Sequence, residues 1–66
     1  MNPKRYRIVV KRYGRYWEEE EETLFTGATK DQMLNLFDRF KDMQGPKTIS
    51  LRLEDEGGTT IEERTY

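Results

Sequence analysis

The sequence predicts an α+β fold in which a four-stranded sheet carries one helix across one of its faces. Two stretches near the amino terminus and two near the carboxyl terminus alternate apolar with polar residues, which is the period-2 pattern of half-buried strands. A stretch between them repeats apolar residues at spacings of three and four, as an amphipathic helix does. Glycine-containing segments separate the strands of each pair. The predicted order along the chain is therefore β-β-α-β-β.

Length and composition limit both the fold and the chemistry. The chain has 66 residues, near the lower limit for a domain that folds without disulfides or metals. It has no cysteine, which excludes a disulfide framework and thiolate metal sites. No apolar run approaches the roughly 20 residues that a membrane span needs. We therefore expect one soluble, cytoplasmic domain over residues 1–66, with no membrane partner.

The first strand is predicted over residues 5–13 and the second over residues 15–26. Gly14 lies between them and suits a two-residue turn, because glycine accepts the positive φ that such turns require. Alternation in the first strand points three side chains inward: Tyr6, Ile8 and Val10. With a two-residue turn, Trp17 and Phe25 of the second strand share that inward face, and we expect Trp17 to pack on the core.

Charge is unevenly distributed along this hairpin. Residues 1–15 carry a net charge of +6 and residues 16–26 a net charge of −5, although the whole chain sums to −1. The same register places three glutamates beside three cations on the outward face, namely Glu18, Glu20 and Glu22 beside Arg5, Arg7 and Lys11. Glu19 and Glu21 then fall on the inward face, so either the second strand is an edge with inward-pointing charges or a bulge re-aims them. Both alternatives place the second strand at an edge and the first inside the sheet.

The helix is predicted to begin after Thr29 and to end before Gly45. Thr29 and Gln32 have the spacing of a capping box. Five apolar side chains form the predicted buried stripe: Met33, Leu36, Phe37, Phe40 and Met43. Gly45 suits the left-handed residue that ends many helices, and Pro46 prevents continuation.

A second hairpin is predicted after the helix. Its first strand alternates three apolar residues, Ile49, Leu51 and Leu53, with polar ones. Residues 56–58 form a three-residue loop, and residues 59–65 return as the last strand. This loop length sets Leu53 opposite Ile61. Because Ile61 is the only strongly apolar residue of the last strand, we expect that strand to be short or at an edge.

This order of elements resembles that of the β-grasp and of the small immunoglobulin-binding bacterial domains. The resemblance is one of topology, and no residue motif carries it. It implies the same α+β class. It implies nothing about function, because one fold hosts many functions.

The residue types that most often perform catalysis are scarce. The chain has no histidine and no cysteine, and its single serine, Ser50, lies within a predicted strand with no base nearby. Glutamate pairs hydrolyse glycosides only in a cleft, and one helix on one sheet offers little depth. Neither a phosphate-binding glycine loop nor the ligand spacing of a calcium loop is present. We expect no enzymatic activity, no cofactor and no metal site.

The surface chemistry favours a binding function. The first hypothesis is docking on a larger protein through the first hairpin, as small regulatory or inhibitor proteins of phages and mobile elements do. Tyrosine, tryptophan and arginine are enriched in binding hot spots, and clustered acidic side chains steer association. The predicted partner-binding residues are Tyr13, Tyr16, Trp17, Glu18, Glu20 and Glu22.

Two alternatives remain open. The chain could be a nucleic-acid-binding β-ribbon whose cations neutralise phosphates while aromatics stack on bases. The predicted residues for this function are Arg5, Arg7, Lys11, Arg12 and Arg15. The adjacent glutamates weigh against it because they repel phosphate groups. The other alternative is a structural homo-oligomer, such as a homodimer joined through strand edges.

Overall fold

A computed structural model describes residues 5–66 of the chain. The elements in chain order are β1 (Tyr6–Tyr13), β2 (Glu19–Gly27), α1 (Lys30–Phe40), β3 (Thr48–Asp55) and β4 (Thr60–Thr65). The predicted β-β-α-β-β order is confirmed. The four strands form one sheet in the order β2-β1-β3-β4, and every neighbouring pair is antiparallel. As predicted, β2 and β4 lie at the edges and β1 lies inside.

The core lies between α1 and one face of the sheet, which we call the helix face. Six buried side chains from β1, β3 and α1 form it: Ile8, Val10, Leu51, Leu53, Met33 and Phe37. Phe25 of β2 packs against this cluster, with its ring 4.8 Å from that of Phe40. No helix of residues 5–66 packs on the opposite surface of the sheet, which we call the open face. The predicted inward residues of β1 are thus confirmed on the helix face, since Tyr6 is also packed against the core.

A three-residue loop and a bulge set the register of the first hairpin. The loop is Arg15–Trp17, closed by a hydrogen bond of 2.7 Å from the Gly14 N–H to the Glu18 carbonyl, so the predicted two-residue turn is wrong. Compared with a two-residue turn, a three-residue loop exchanges the side chains of the returning strand that face the helix with those that face away from it. The extra residue Leu24 then reverses the facing again, so that Phe25 lies opposite Ile8 on the helix face, as predicted.

The glutamates of β2 lie after the loop and before this bulge. The loop reverses the side of the sheet that they face, and the bulge restores it only from Phe25 onwards, so the facing predicted for the glutamates is wrong. Glu19 and Glu21 lie opposite Tyr13 and Lys11. They therefore share the open face with Arg7 and Lys11 of β1. Glu20 and Glu22 lie on the helix face. The sequence allowed either an edge strand or a bulge. The structure has both, because β2 is an edge strand and contains a bulge at Leu24.

The helix begins where predicted and ends earlier. Thr29 is the N-cap residue in extended backbone, but its side chain makes no capping hydrogen bond. Phe40 is the last helical residue, and Met43, predicted to extend the buried stripe, is 70% exposed. Gly45 does not end the helix, because Lys41 already occupies the C-cap in right-handed backbone.

Side chains satisfy the carbonyl groups at this early helix end. The Gln44 side-chain amide donates a hydrogen bond to the Phe40 carbonyl at 2.8 Å. The Tyr66 hydroxyl donates to the Lys41 carbonyl. A helix can end without a left-handed residue when its last carbonyls find such donors. The segment after Lys41 is therefore free to form a loop that reaches β3.

The second hairpin has the predicted loop but not the predicted register. The loop is Glu56–Gly58, closed by a hydrogen bond of 3.0 Å between the flanking residues. A bulge at Ile61 places Glu62 opposite Leu53, so the predicted Leu53–Ile61 pair is wrong. Ile61 still packs against the core. Ile49 is likewise the extra residue where β3 meets the end of β1, and it is half-buried.

Candidate functional site at the first hairpin

The first hairpin ends in a closed loop, Gly14–Glu18, which we call the tip. Besides the Gly14–Glu18 backbone bond, the Trp17 N–H donates to the Gly14 carbonyl at 3.1 Å. The Glu18 carboxylate accepts a hydrogen bond from the Tyr16 N–H at 2.8 Å. These bonds have the pattern of a three-residue hairpin loop, in which a β-turn is followed by one left-handed residue. The tip therefore has a defined backbone.

Trp17 is the left-handed residue of the tip, with φ of 65°. Glycine usually occupies such a position, because a Cβ there crowds the carbonyl oxygen and costs about 1–2 kcal/mol. The sequence assigned the positive φ to Gly14, which is wrong. Gly14 provides space instead, since a Cβ on it would collide with the carboxyl groups of Glu18 and Glu20.

The Trp17 side chain does not reach the core, so its predicted core packing is also wrong. It is 68% exposed. Its ring makes an edge contact with Tyr13 at 5.7 Å between centroids, and Lys47 Nζ lies 5.3 Å from the ring centroid. Tyr16, beside it, is 80% exposed. Backbone strain that supports an exposed side chain is typical of functional sites.

The three predicted partner-binding glutamates differ in what they contact. Glu18 shapes the tip through its bond to Tyr16. Glu20 and Glu22 are exposed on the edge strand, opposite Arg12 and Val10 respectively, and form no ion pair with another described residue. Glu20 and Glu22 therefore carry unpaired negative charge beside the tip, whereas Glu18 is part of the loop itself.

The other two glutamates of the run bind cations of this chain. Glu19 lies 3.2 Å from Lys11 Nζ, and Glu21 lies 3.0 Å from a guanidinium nitrogen of Arg52. Both pairs lie on the open face. The neutralisation of β1 cations by neighbouring glutamates, expected from the charge pattern, thus involves Glu19 and not the predicted Glu18, Glu20 and Glu22.

A buried carboxylate on the open face escaped the sequence analysis. Glu54 is only 6% exposed, and its two oxygens accept hydrogen bonds from Arg7 and Arg52, each at 2.9 Å. Arg52 reaches from β3 across β1 to Glu21, over Val9, whose exposed fraction is 4%. Alternation could have indicated the network, because Glu54 follows Arg52 by two residues and so shares its face.

This network shifts the pKa values of its members. Burial raises the pKa of the Glu54 carboxyl, but hydrogen bonds from Arg52 and then Arg7 outweigh burial and leave that pKa below its ordinary value. The pKa of Arg52 is raised, chiefly by its hydrogen bond to Glu54. Both groups are therefore charged at neutral pH, and the network acts as an electrostatic connection between the two hairpins.

The residues predicted to contact nucleic acid do not form one patch. Arg7 and Lys11 share the open face, and each is in an ion pair. Arg12 lies on the helix face, Arg15 lies in the tip, and Arg5 precedes β1 and is exposed. The structure thus brings together two of these five cations and separates the other three.

Comparison with known proteins adds no relative. No protein-family model, no curated protein and no solved structure matches the chain. Within residues 5–66 no group of three or more histidine, cysteine, aspartate or glutamate side chains is arranged to hold a metal ion. In the same range no helix is long and apolar enough to span a bilayer. A function must therefore be inferred from the geometry of the tip and its surroundings.

Proposed function

We propose that this chain is a small protein-docking module that binds a larger protein through the tip and the adjoining edge of β2. The observation that carries the proposal is Trp17, an exposed tryptophan held at a backbone position that favours glycine. Such a residue lowers the stability of the hairpin unless its side chain contributes elsewhere. Tryptophan and tyrosine supply large contact area with few rotatable bonds, so they dominate many protein interfaces.

The contacts support a separate role for each residue of this surface. Trp17 and Tyr16 are the anchors that enter the partner, and Tyr13 holds the Trp17 ring by its edge contact. Glu20 and Glu22 supply unpaired negative charge next to the anchors, which accelerates association with a basic surface. A regulatory or inhibitory role of the kind found in phages and mobile elements, exerted in the cytoplasm, belongs to the same proposal.

The two alternatives are less well supported by the contacts. A nucleic-acid phosphate would have to compete with Glu54 for Arg7 and with Glu19 for Lys11. Pairing of two copies through either sheet edge would add like charges to the interface, because both β2 and β4 carry adjacent glutamates. Both alternatives nevertheless give distinct outcomes in the experiments below.

The first experiment captures partners from a cell lysate with tagged protein, with and without nuclease and at two salt concentrations. We expect a protein partner that survives nuclease and is lost with Trp17→Ala or Tyr16→Ala. The matched control is Glu56→Ala in the loop of the second hairpin, which should leave capture unchanged. Nuclease-sensitive capture would favour the nucleic-acid alternative, and light scattering that shows a dimer would favour the homo-oligomer.

The second experiment compares two pairs of glutamine substitutions that remove the same charge from opposite faces of β2. The Glu20→Gln, Glu22→Gln pair should slow association with the partner, because it removes unpaired steering charge. The Glu19→Gln, Glu21→Gln pair frees Lys11 and Arg52, so a nucleic-acid binder would gain oligonucleotide affinity from it. A salt-dependent gel shift that grows with the second pair would replace protein docking as the preferred function.

A further inference from the structure

A groove of about 600 Å³ opens on the helix face between the end of α1 and the part of the first hairpin next to the tip. Its volume lies within the roughly 300–1,000 Å³ of ligand-binding pockets. Leu24, Phe40 and Met43 provide its apolar surface, and the loop between α1 and β3 forms its far wall. Met43 is 70% exposed, although it is large and apolar. An exposed apolar side chain in a concave site is what a bound ligand would cover.

The charged residues that line this groove are both cations, Arg12 and Lys47, and no acid lines it. Arg12 Nε is buried and has no hydrogen-bond partner. Among residues 5–66, Arg12 also forms no ion pair, in contrast to Arg7 on the open face. Buried donors are nearly always paired in folded proteins. The chain thus maintains a cationic donor whose acceptor is not among the described residues.

The groove is continuous with the tip. Lys47 lines the groove and also places its Nζ over the Trp17 ring, and Tyr13 lines the groove and contacts the same ring. A partner that engages Trp17 would therefore lie next to the groove entrance. Trp17 itself does not line the groove. The two sites can consequently be altered separately.

We infer that the groove binds a peptide segment of the partner in which a carboxylate is flanked by apolar side chains. The carboxylate would pair with the guanidinium charge of Arg12, which no acid of residues 5–66 neutralises, and Lys47 would be the second positive charge. The apolar side chains would cover Leu24, Phe40 and Met43. This inference rests on the proposed docking function and names the partner's chemistry: an acidic–apolar segment at the groove, beside basic groups that meet Glu20 and Glu22.

The test uses three synthetic tripeptide amides, acetyl-Leu-Glu-Phe, acetyl-Leu-Gln-Phe and acetyl-Leu-Lys-Phe, titrated into ¹⁵N-labelled protein. We expect shift changes for the amides around Phe40, Gly45 and Thr48, and an affinity for the glutamate peptide roughly tenfold or more above that for the glutamine peptide. Arg12→Met should abolish this preference without lowering the melting temperature, because it removes a donor that has no partner in the fold. Arg39→Met, at an exposed arginine of α1 that does not line the groove, makes the same charge change and should preserve the preference.

The outcomes separate this inference from the proposed function. Equal affinity for the glutamate and glutamine peptides, absence of binding, or shift changes confined to the open face would each overturn the groove as an acidic–apolar site. Trp17→Ala should retain the preference for the glutamate peptide, because Arg12 remains, while it abolishes capture of the partner. Loss of the peptide preference in Arg12→Met, with partner capture that is insensitive to Trp17→Ala, would retain the groove and reject tip docking. If capture depends on Trp17 but the protein shows no preference for the glutamate peptide, tip docking is retained and the groove as an acidic–apolar site is rejected.

Discussion

The two hairpin loops of this molecule share one backbone design. In each, the N–H of the residue before the loop bonds the carbonyl of the residue after it, from Gly14 to Glu18 at 2.7 Å and from Asp55 to Thr59 at 3.0 Å. In each, the N–H of the third loop residue donates to the carbonyl of the residue before the loop, from Trp17 to Gly14 at 3.1 Å and from Gly58 to Asp55 at 3.0 Å. The third loop residue has a positive φ in both cases, 65° in the first loop and 85° in the second.

The loops differ in what occupies that third position. In the second loop it is Gly58, which adopts a positive φ without steric cost. In the first it is Trp17, for which the same conformation is strained. The second loop shows that this sheet needs only glycine at such a position. The requirements of the turn therefore do not account for Trp17, and its exposed side chain is the feature on which the docking proposal rests.

The loops also differ in how a carboxylate supports them. Asp55 precedes the second loop, and its Oδ1 accepts bonds from the Gly57 and Thr59 N–H groups, each at 2.9 Å. Glu18 follows the first loop and accepts only the Tyr16 N–H. The second loop is thus bonded internally by a short side chain, whereas the first directs its large side chains outward. The side-chain bonds of the second loop stabilise its turn, whereas the first loop exposes Tyr16 and Trp17 to solvent.

The largest expected effect is a loss of stability when the core that supports both hairpins is altered. Phe37→Ala should lower the free energy of unfolding by about 3–5 kcal/mol, because it leaves a cavity between α1 and the sheet. Thermal melting followed by circular dichroism measures the loss. Met43→Ala is the matched control, and it should cost little because Met43 is exposed. A Phe37→Ala variant that melts with the wild type would show that the core is elsewhere.

The next effect concerns the ion pairs that join the two hairpins. Glu54→Gln should cost about 3 kcal/mol, the low end for breaking a buried pair, because the Arg7 side chain is 50% exposed. Glu56→Gln, an exposed change of the same kind, is the control. A Glu54→Gln variant as stable as this control would mean that the hairpins are joined by the core alone.

The same carboxylate predicts a pH dependence. Because folding lowers the pKa of Glu54, its contribution to stability is complete above the ordinary glutamate pKa. It is lost as the pH falls through the lower pKa of the folded state. Denaturant titrations between neutral and acidic pH should therefore show a smaller acid loss in Glu54→Gln than in the wild type. Equal acid losses would contradict the lowered pKa.

A smaller effect addresses the left-handed position of the second loop. Gly58→Ala should cost about 1–2 kcal/mol, because alanine pays the steric cost that Trp17 already pays in the first loop. Gly45→Ala is the control, since a Cβ there would contact nothing and Gly45 has no positive φ. If both substitutions had equal effects in denaturant titrations, the comparison of the loops would lose its basis.

The smallest effect concerns the N-cap of α1, where Thr29 occupies the predicted position but its side chain makes no capping hydrogen bond. Thr29→Ala should cost a few tenths of a kcal/mol, less than the ~1 kcal/mol of a hydrogen-bonded cap, because the Thr29 side chain makes no capping bond. Thr26→Ala, on the strand before it, serves as the reference. A loss near 1 kcal/mol for Thr29→Ala would indicate that the capping bond forms in solution.

Much of the fold could be predicted because alternation and helical spacing are local signals. Ile8 and Val10, the helix residue Phe37 and the loop Glu56–Gly58 were all placed correctly. Register was only partly predictable. The glutamates of β2 indicated a possible bulge, but its position at Leu24 and the bulge at Ile61 depend on how the strands meet the core.

The sequence named the aromatic residues of the candidate site, but it did not give their geometry. Tyr13, Tyr16 and Trp17 are all exposed, as partner contacts must be, although Trp17 was also expected to pack on the core. Turn chemistry favours glycine for a positive φ, so a rule based on propensity selects Gly14 and misses Trp17. The groove beside the tip could not be foreseen, because it is formed by residues from β1, β2, the helix end and the following loop.

The most direct test of the tip proposal measures stability and partner capture together for Trp17→Gly and Trp17→Ala. Both changes remove the ring and its contacts with Tyr13 and Lys47, so the difference between them isolates the backbone strain. We predict that Trp17→Gly is about 1–2 kcal/mol more stable than Trp17→Ala in denaturant titrations, while neither variant captures the partner. Equal stability of the two variants, or full capture by Trp17→Gly, would contradict a tryptophan kept under strain for docking.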